Sequence, residues 1–246
     1  MNNLNLGLSY AVGTDPGLKR PLNEDSAYAS PRLLAVADGI GGQPHGEVAS
    51  AVATAALSDL DRSMAGLDLR GVDLAATLSA GVADIARRLV EHARLDPALH
   101  GMGTTLTAML WAGGRFAVAH VGDSRGYLLR DGELRQFTRD HTLVQSLVDD
   151  GRIPADEAAG HPRRSMLMRA LQSDGSGEPD LWCGEARPGD RYLLSSDGLF
   201  SVVAPDTIAE TLSTAAEREA AVRRLIELAN QAGGPDNITC VVADAT

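Results

Sequence analysis

The chain has 246 residues and a formal net charge of -11, with 44% hydrophobic and 22% charged residues. That balance excludes a disordered chain, and its acidity disfavours nucleic acid and anionic membrane surfaces as partners. No apolar run reaches the ~20 residues a membrane span needs and no leader-like segment opens the chain, so the expectation is one cytoplasmic domain over residues 1–246 that does not engage a membrane.

Residues 8–12 and 33–37 read as short strands, the second apolar on both faces and therefore expected at the centre of a sheet. Residues 46–60 are alanine-rich and read as a helix. A second helix carries Leu74, Leu78, Ile85 and Leu89 at helical spacing, and Asp96-Pro97 closes it. Residues 104–111, 115–121, 126–130 and 133–137 read as four strands of one antiparallel meander. Gly113-Gly114 and Asp131-Gly132 supply hairpin turns, because each tolerates φ > 0. Residues 142–172 are polar and irregular, with helical pieces at 143–148 and 155–158. Strands at 190–195 and 237–242 and helices at 207–212 and 216–232 complete the chain, the last helix stopped by Gly233-Gly234-Pro235. Helix pairs alternating with antiparallel strands predict an α+β fold of two packed sheets flanked by helices. Cys183 and Cys240 sit in strand-like surroundings and are expected as buried, reduced thiols.

Five acidic positions share one context, a strand end or sharp turn, often beside glycine: Glu24-Asp25, Asp38-Gly39, Asp123, Asp197-Gly198 and Asp236-Asn237. An aspartate following an apolar strand projects from the strand end, and a glycine after it leaves the backbone carbonyl accessible. Hard dications take carboxylates, carbonyls and waters as ligands. Several aspartates meeting without cations would repel one another and be costly to bury. One Asp-Gly pair alone is ordinarily a turn, as at Asp131-Gly132; the joint pattern is what points to divalent metal.

These residues carry a family resemblance. Arg20-Pro21-Leu22-Asn23-Glu24-Asp25, the block from Val36 through Asp38-Gly39 to Gly42, Gly46-Glu47, Gly103-Thr104-Thr105, Val121-Gly122-Asp123-Ser124-Arg125, Thr138 to His141, Ser195-Ser196-Asp197-Gly198 and Gly234-Pro235-Asp236-Asn237 follow one another in order. Together they resemble the metal-dependent serine/threonine phosphatases of the type 2C (PPM) family, across roughly residues 8 to 242. The resemblance implies an α-β-β-α four-layer sandwich and hydrolysis of phosphoserine and phosphothreonine on proteins. It implies two Mn2+ or Mg2+ ions, with Asp38 bridging them, Asp197 and Asp236 completing the first site, the Gly39 carbonyl joining the second, and Glu24 or Asp25 holding its waters. A third, weaker site of bacterial members falls on Asp123 with Asp197. Two dications about 3.5–4 Å apart lower the pKa of a shared water, whose hydroxide attacks phosphorus in line. Arg20 is expected to bind the phosphate through its planar donor fork, the competing role being an ion pair with Glu24 or Asp25. Phosphorylated proteins, and a serine/threonine kinase whose signalling is reversed, are the implied partners. Residues 142–172 resemble the family's flap beside the cleft, and Arg163, Arg164 and Arg169 give it local positive charge against an acidic background.

The chain also departs from that pattern. Ile40 stands where many eukaryotic relatives carry a histidine after Asp-Gly, Gln43 and His45 differ from the usual glycine-rich block, and Ser165 stands where asparagine is usual. The proton donor is therefore expected to be a metal-bound water, with His141 a weaker second. Gly122-Asp123-Ser124-Arg125-Gly126 matches the Gly-x-Ser-x-Gly nucleophile elbow in letters, but a strand follows it and no histidine lies beyond His161 to complete the usual order. Glycine spacing excludes a dinucleotide fingerprint, and the histidines and cysteines lack zinc spacing. The rival class is a catalytically dead relative that binds phosphoproteins. Such relatives usually lose metal aspartates, and this chain keeps Asp38, Asp197 and Asp236.

Overall fold

The computed structural model describes residues 6–40, 45–158 and 160–246. Strands β1 (Leu8–Asp15), β2 (Asp25–Ala29), β3 (Leu33–Asp38), β4 (Gly103–Thr104), β5 (Leu106–Ala112), β6 (Arg115–Val121), β7 (Arg125–Arg130), β8 (Glu133–Gln136), β9 (Leu171–Gln172), β10 (Asp180–Glu185), β11 (Arg191–Ser195) and β12 (Ile238–Ala245) form three sheets. One orders β1-β12-β11-β7-β8, the second β10-β6-β5-β3-β2, and β4 pairs with β9 in a small third ladder. All of these pairings are antiparallel. The helices are α1 (Gly46–Ser63), α2 (Leu74–Leu95), α3 (Leu143–Asp149), α4 (Ala155–Ala158), α5 (Asp197–Phe200), α6 (Pro205–Thr214) and α7 (Arg218–Gln231). Among the described residues, no helix is long and apolar enough to cross a membrane.

Period-two alternation sorts each strand's side chains between layers. In β3, Leu33, Ala35 and Ala37 face the core under α1 and α2, while Leu34 and Val36 join the core between the sheets. In β12, Ile238, Cys240 and Val242 face the core under α6 and α7, while Val241 and Ala243 point between the sheets. Three apolar layers separate four structural ones, the expected α-β-β-α sandwich. A strand apolar on both faces therefore marks a strand between two cores, which need not be the middle of its sheet. β3 is second from the edge, with only β2 outside it.

The expected single meander does not form. β5 and β6 make a hairpin in one sheet, and β7 and β8 make another in the other sheet. The chain crosses between sheets at Gly122-Asp123-Ser124, where Gly122 has φ 104°. A Cβ on Gly122 would lie 2.6 Å from the Thr105 side chain, so the crossover needs glycine. The Gly113-Gly114 and Asp131-Gly132 turns do form, with all four residues at positive φ. Strands β2, β4, β9 and β10 and the one-turn helix α5 have no counterpart among the sequence-predicted elements. Of the two thiols, both free, Cys240 is buried as expected and Cys183 is exposed. Cys183 lies on edge strand β10, whose outer face is open.

Candidate metal centre

Strand register gathers the acidic residues at one edge of the sandwich. Asp25 opens β2 opposite Asp38, which ends β3. Ser195 ends β11 between Arg125 at the start of β7 and Cys240 near the start of β12. The β11 end thus delivers Asp197, the β12 start delivers Asp236, and the intersheet crossover delivers Asp123. Thr105 locks the β3 end: the Asp38 N–H donates to its Oγ1 at 3.0 Å, and its own N–H donates to the Asp38 carbonyl at 2.8 Å.

A pocket of about 180 Å³ opens there, lined by Arg20, Glu24, Asp38, Gly39, Asp123, Asp197 and Asp236, with half-buried Ile40, buried Thr105 and Ser165 and Leu167 from the 142–172 segment. Seven of the eight sequence-predicted site residues therefore meet. Asp25 lies outside the lining, buried, its Oδ2 accepting from Ser196 Oγ at 2.6 Å and its Oδ1 without a hydrogen-bond partner among the described residues. Gly41 and Gly42 of the glycine block, with Gln43, lie outside the described residues.

Glycines allow the close approaches. A Cβ on Gly39 would sit 2.4 Å from the Gly46 backbone, which holds the Asp38-Gly39 turn against the start of α1. A Cβ on Gly198 would sit 2.0 Å from the Asn237 carbonyl oxygen, which presses the start of α5 onto the start of β12. Asn237 fastens the loop that carries Arg20 and Glu24. Its Nδ2 donates to the Pro16 and Leu22 carbonyls, each at 2.9 Å, and its Oδ1 accepts the Glu24 N–H at 2.8 Å.

The electrostatics are those of acids crowded out of water. Burial, followed by the charges of Asp25, Asp197, Asp123 and Asp236, holds the Asp38 carboxyl well above the usual carboxylate range. Asp197 is raised in the same way, by burial and then by Asp123 and Asp236. Burial pushes Asp123 up to about 7 and Asp25 up to about 6. Glu24 is raised by burial and by Glu47. Arg20 is the cation facing this group: its Nη2 donates to Asp236 Oδ2 at 2.7 Å. The ion pair with Glu24 or Asp25 weighed from the sequence is replaced by this one.

Divalent cations fit the donor set. Buried carboxylates that raise one another's pKa are stabilised when a dication takes the place of their protons. Among the described residues, no three acidic, histidine or cysteine side chains are drawn onto one point as a complete ligand set. The carboxylates line a pocket and leave further coordination positions to carbonyls and water, a division that Mg2+ in particular favours.

Two other readings end here. Ser124 is buried, its Oγ hydrogen-bonded to Thr105 Oγ1, which leaves no exposed nucleophile. His141 accepts the Gly122 N–H on Nδ1 at 3.1 Å and meets Asp180 Oδ2 through Nε2 at 3.0 Å, outside the pocket lining, so it braces the crossover. Sequence reasoning missed Thr105, Ser196 and Asn237 as supports of the site, although all three lie within the quoted blocks. It also missed Leu167, which nothing in the local sequence marks.

The double-sheet sandwich with an acidic pocket at one edge defines the class as that of α-β-β-α phosphatase folds. The chain belongs to the protein phosphatase 2C family, whose family model, described as Protein phosphatase 2C, matches residues 22–241. Over 244 residues it is 54% identical to the serine/threonine protein phosphatase PstP of Mycobacterium tuberculosis, a match covering 99% of this chain and 46% of that protein. The chain thus spans about half the length of that relative. The crystal structure of the M. tuberculosis phosphatase superposes with a TM-score of 0.91 at 54% identity, covering 98% of this chain and 99% of that one. A structure of the PstP catalytic domain in complex with two manganese ions gives a TM-score of 0.89 at 52% identity, covering 98% of this chain and all of that one.

Proposed function

We propose that this chain is a single catalytic domain that hydrolyses phosphoserine and phosphothreonine on proteins with two bound Mn2+ or Mg2+ ions. One observation carries the reading: Asp38, Asp197 and Asp236, from three separate strand ends, share one pocket with Arg20. The metal complex of the 52% identical PstP domain supports the choice of ion. Asp38 would be shared between the ions, Asp197 and Asp236 would hold the first, and the Gly39 carbonyl with Glu24 the second. Asp25 backs Asp38 from beneath, and Asp123 with Asp197 would take a third, weaker ion. Bound in pairs, such ions supply Lewis acidity and lower the pKa of water at neutral pH. Arg20 presents its guanidinium at the pocket and clamps the phosphate oxygens. Ile40 and Leu167 put apolar surface beside the carboxylates and restrict bulk water.

In this reading residues 142–172 form the flap, and Arg163 and Arg164, which form no ion pair among the described residues, offer it cations for acidic or phosphorylated segments. Arg169 is already engaged by Asp180 at 2.8 Å. The biological setting is cytoplasmic signal transduction, where the enzyme reverses a serine/threonine kinase. The test is phosphate release from phosphoserine and phosphothreonine peptides. Release should require Mn2+ or Mg2+, stop with a chelator, and fall about 10²–10³-fold in Asp38→Ala, the loss typical of removing one strong electrostatic stabiliser. Undiminished turnover by Asp38→Ala would overturn the assignment.

A further inference from the structure

A second cavity, of about 380 Å³, adjoins the metal pocket and shares Asp123, Asp197 and Ser165 with it. Its size falls within the roughly 300–1,000 Å³ of built ligand sites. Apolar side chains line it from two sides: Val144 and Val148 of α3 with Ala155 and Ala158 of α4, facing Phe200 of α5 and Pro205 of α6.

The polar groups in its wall are largely spent on one another. Arg125 donates from Nε and Nη2 to the Asp140 carboxylate, the shorter bond at 2.6 Å, and its guanidinium carbon lies 3.9 Å from the centroid of the Phe200 ring. Thr142 Oγ1 accepts the Gln145 N–H and caps α3. Asp123 and Asp197 face the metal pocket. The larger part of what remains open is apolar, interrupted by Ser165, Ser201 and Gln145, with Arg164 as the lining cation that forms no ion pair among the described residues.

We propose that this cavity is a side-chain subsite of the phosphatase reaction, which takes a large apolar residue of the substrate next to the phosphorylated serine or threonine. The inference rests on the catalytic reading above and deepens it. Three observations select this occupant. The cavity shares Asp123, Ser165 and Asp197 with the pocket that would hold the phosphate, so a residue next to the phosphorylated one is within reach of it. Most of its open lining is aliphatic and aromatic, which rewards burial of a Leu, Met or Phe side chain. A lysine or arginine side chain there would meet the bound dications, while a glycine would leave the cavity to water. α3 and α4 supply one wall and α5 and α6 the other, so selectivity depends on both the 142–172 segment and the core.

The test compares phosphothreonine peptides that differ only in the residue on either side of the phosphothreonine, Leu, Gly or Lys, with an aryl phosphate as the substrate that lacks a neighbour. At one flanking position, kcat/KM should favour Leu over Gly by about 10-fold or more, the range one hydrophobic pocket provides, and should be lowest for Lys. Ala158→Trp, which fills the cavity, should bring the Leu peptide down to the Gly level and leave aryl phosphate turnover unchanged. Val148→Asp should do the same by charge, so a folding failure in one variant does not decide the matter. Equal kcat/KM for Leu and Gly peptides at both positions, in the wild-type protein alone, would overturn the subsite. Absence of turnover on every substrate, aryl phosphate included, would overturn the catalytic reading and the subsite with it.

Discussion

Arg20 illustrates what a single residue can and cannot announce. Its place before Asn23-Glu24-Asp25 marked it as an anion binder, but nothing local names Asp236, 216 positions away, as its partner. The pair is half open to solvent, so its contribution to stability is small. Its consequence is positional: the guanidinium is parked at the pocket, against a carboxylate that a dication would also claim. Arg20→Ala should therefore raise KM for a phosphopeptide by roughly 10-fold or more, the cost of one charge-assisted bidentate contact, with kcat much less affected. Arg20→Lys should recover only part of this, because an ammonium lacks the planar fork. Steady-state kinetics of the three proteins decide it, and an unchanged KM in Arg20→Ala would remove Arg20 from phosphate binding. The acids were legible for the opposite reason. Asp38, Asp123, Asp197 and Asp236 each stand beside glycine, proline or a strand end in a quoted block, and each lines the pocket. Asp25, one residue from Glu24, turns inward instead, since β2 starts there and alternation sends neighbours to opposite faces.

At the scale of elements, legibility followed length and periodicity. α2 was read from Leu74 to Leu89 because its apolar stripe repeats over several turns, and every leucine of that stripe is buried. β6 needed only the apolar run Phe116–Ala119. β2 and β10 carry too little apolar pattern to be read. Asp25 and Ser26 open β2 with polar residues, and in β10 only Leu181-Trp182-Cys183 are apolar, between Asp180 and Gly184-Glu185. α5 is a single turn and has no period to detect. The meander failed for a topological reason: hairpin signals specify which neighbours pair, but not that Gly122 sends the next pair to the other sheet. α5 nevertheless matters to the site, because its first residue is Asp197 and its second, Gly198, rests on the Asn237 carbonyl. Gly198→Ala places a Cβ where that oxygen lies. The clash is with backbone, so α5 must move off β12, at a cost of about 1–3 kcal/mol. Asp197 moves with it away from Asp236. The expected result is a lower urea midpoint together with weaker Mn2+ binding by calorimetry. Wild-type affinity in a destabilised variant would show that the two aspartates do not depend on this contact.

For the molecule as a whole, the balance of buried charge sets how stability responds to pH and metal. Asp123 is pushed up to about 7 and Asp25 to about 6, first by burial, and burial likewise holds Asp38 and Asp197 well above the usual carboxylate range. The folded metal-free protein therefore holds more protons than the unfolded chain above about pH 4, and these groups destabilise it increasingly as pH rises toward 7. His120 acts in the reverse sense. Burial, with the ring of His141 centred 4.8 Å away, lowers it to about 4, so its stabilising effect is complete above the unfolded value near 6.5 and is lost as pH falls toward 4. Four raised carboxyls outweigh one lowered imidazole, so these groups together make the metal-free protein lose stability as pH rises from about 4 toward 7. Dications remove the acidic half of that balance by replacing protons on the aspartates, and they must compete with those protons as pH falls. One ion at a hundredfold its Kd adds about 2.7 kcal/mol, or roughly 5–10 °C in Tm for a chain of this size. Thermal unfolding in EDTA and in millimolar Mn2+, at pH 5.5 and at pH 7.5, should therefore show a metal-induced rise at both, with the larger rise at pH 7.5. Calcium or magnesium in place of manganese separates general charge neutralisation from selective coordination. A rise that is equal at the two pH values would mean that the ions bind away from the raised carboxylates. In that case the crowding of Asp38, Asp123 and Asp197 would be a burden that the fold carries without the compensation proposed for it.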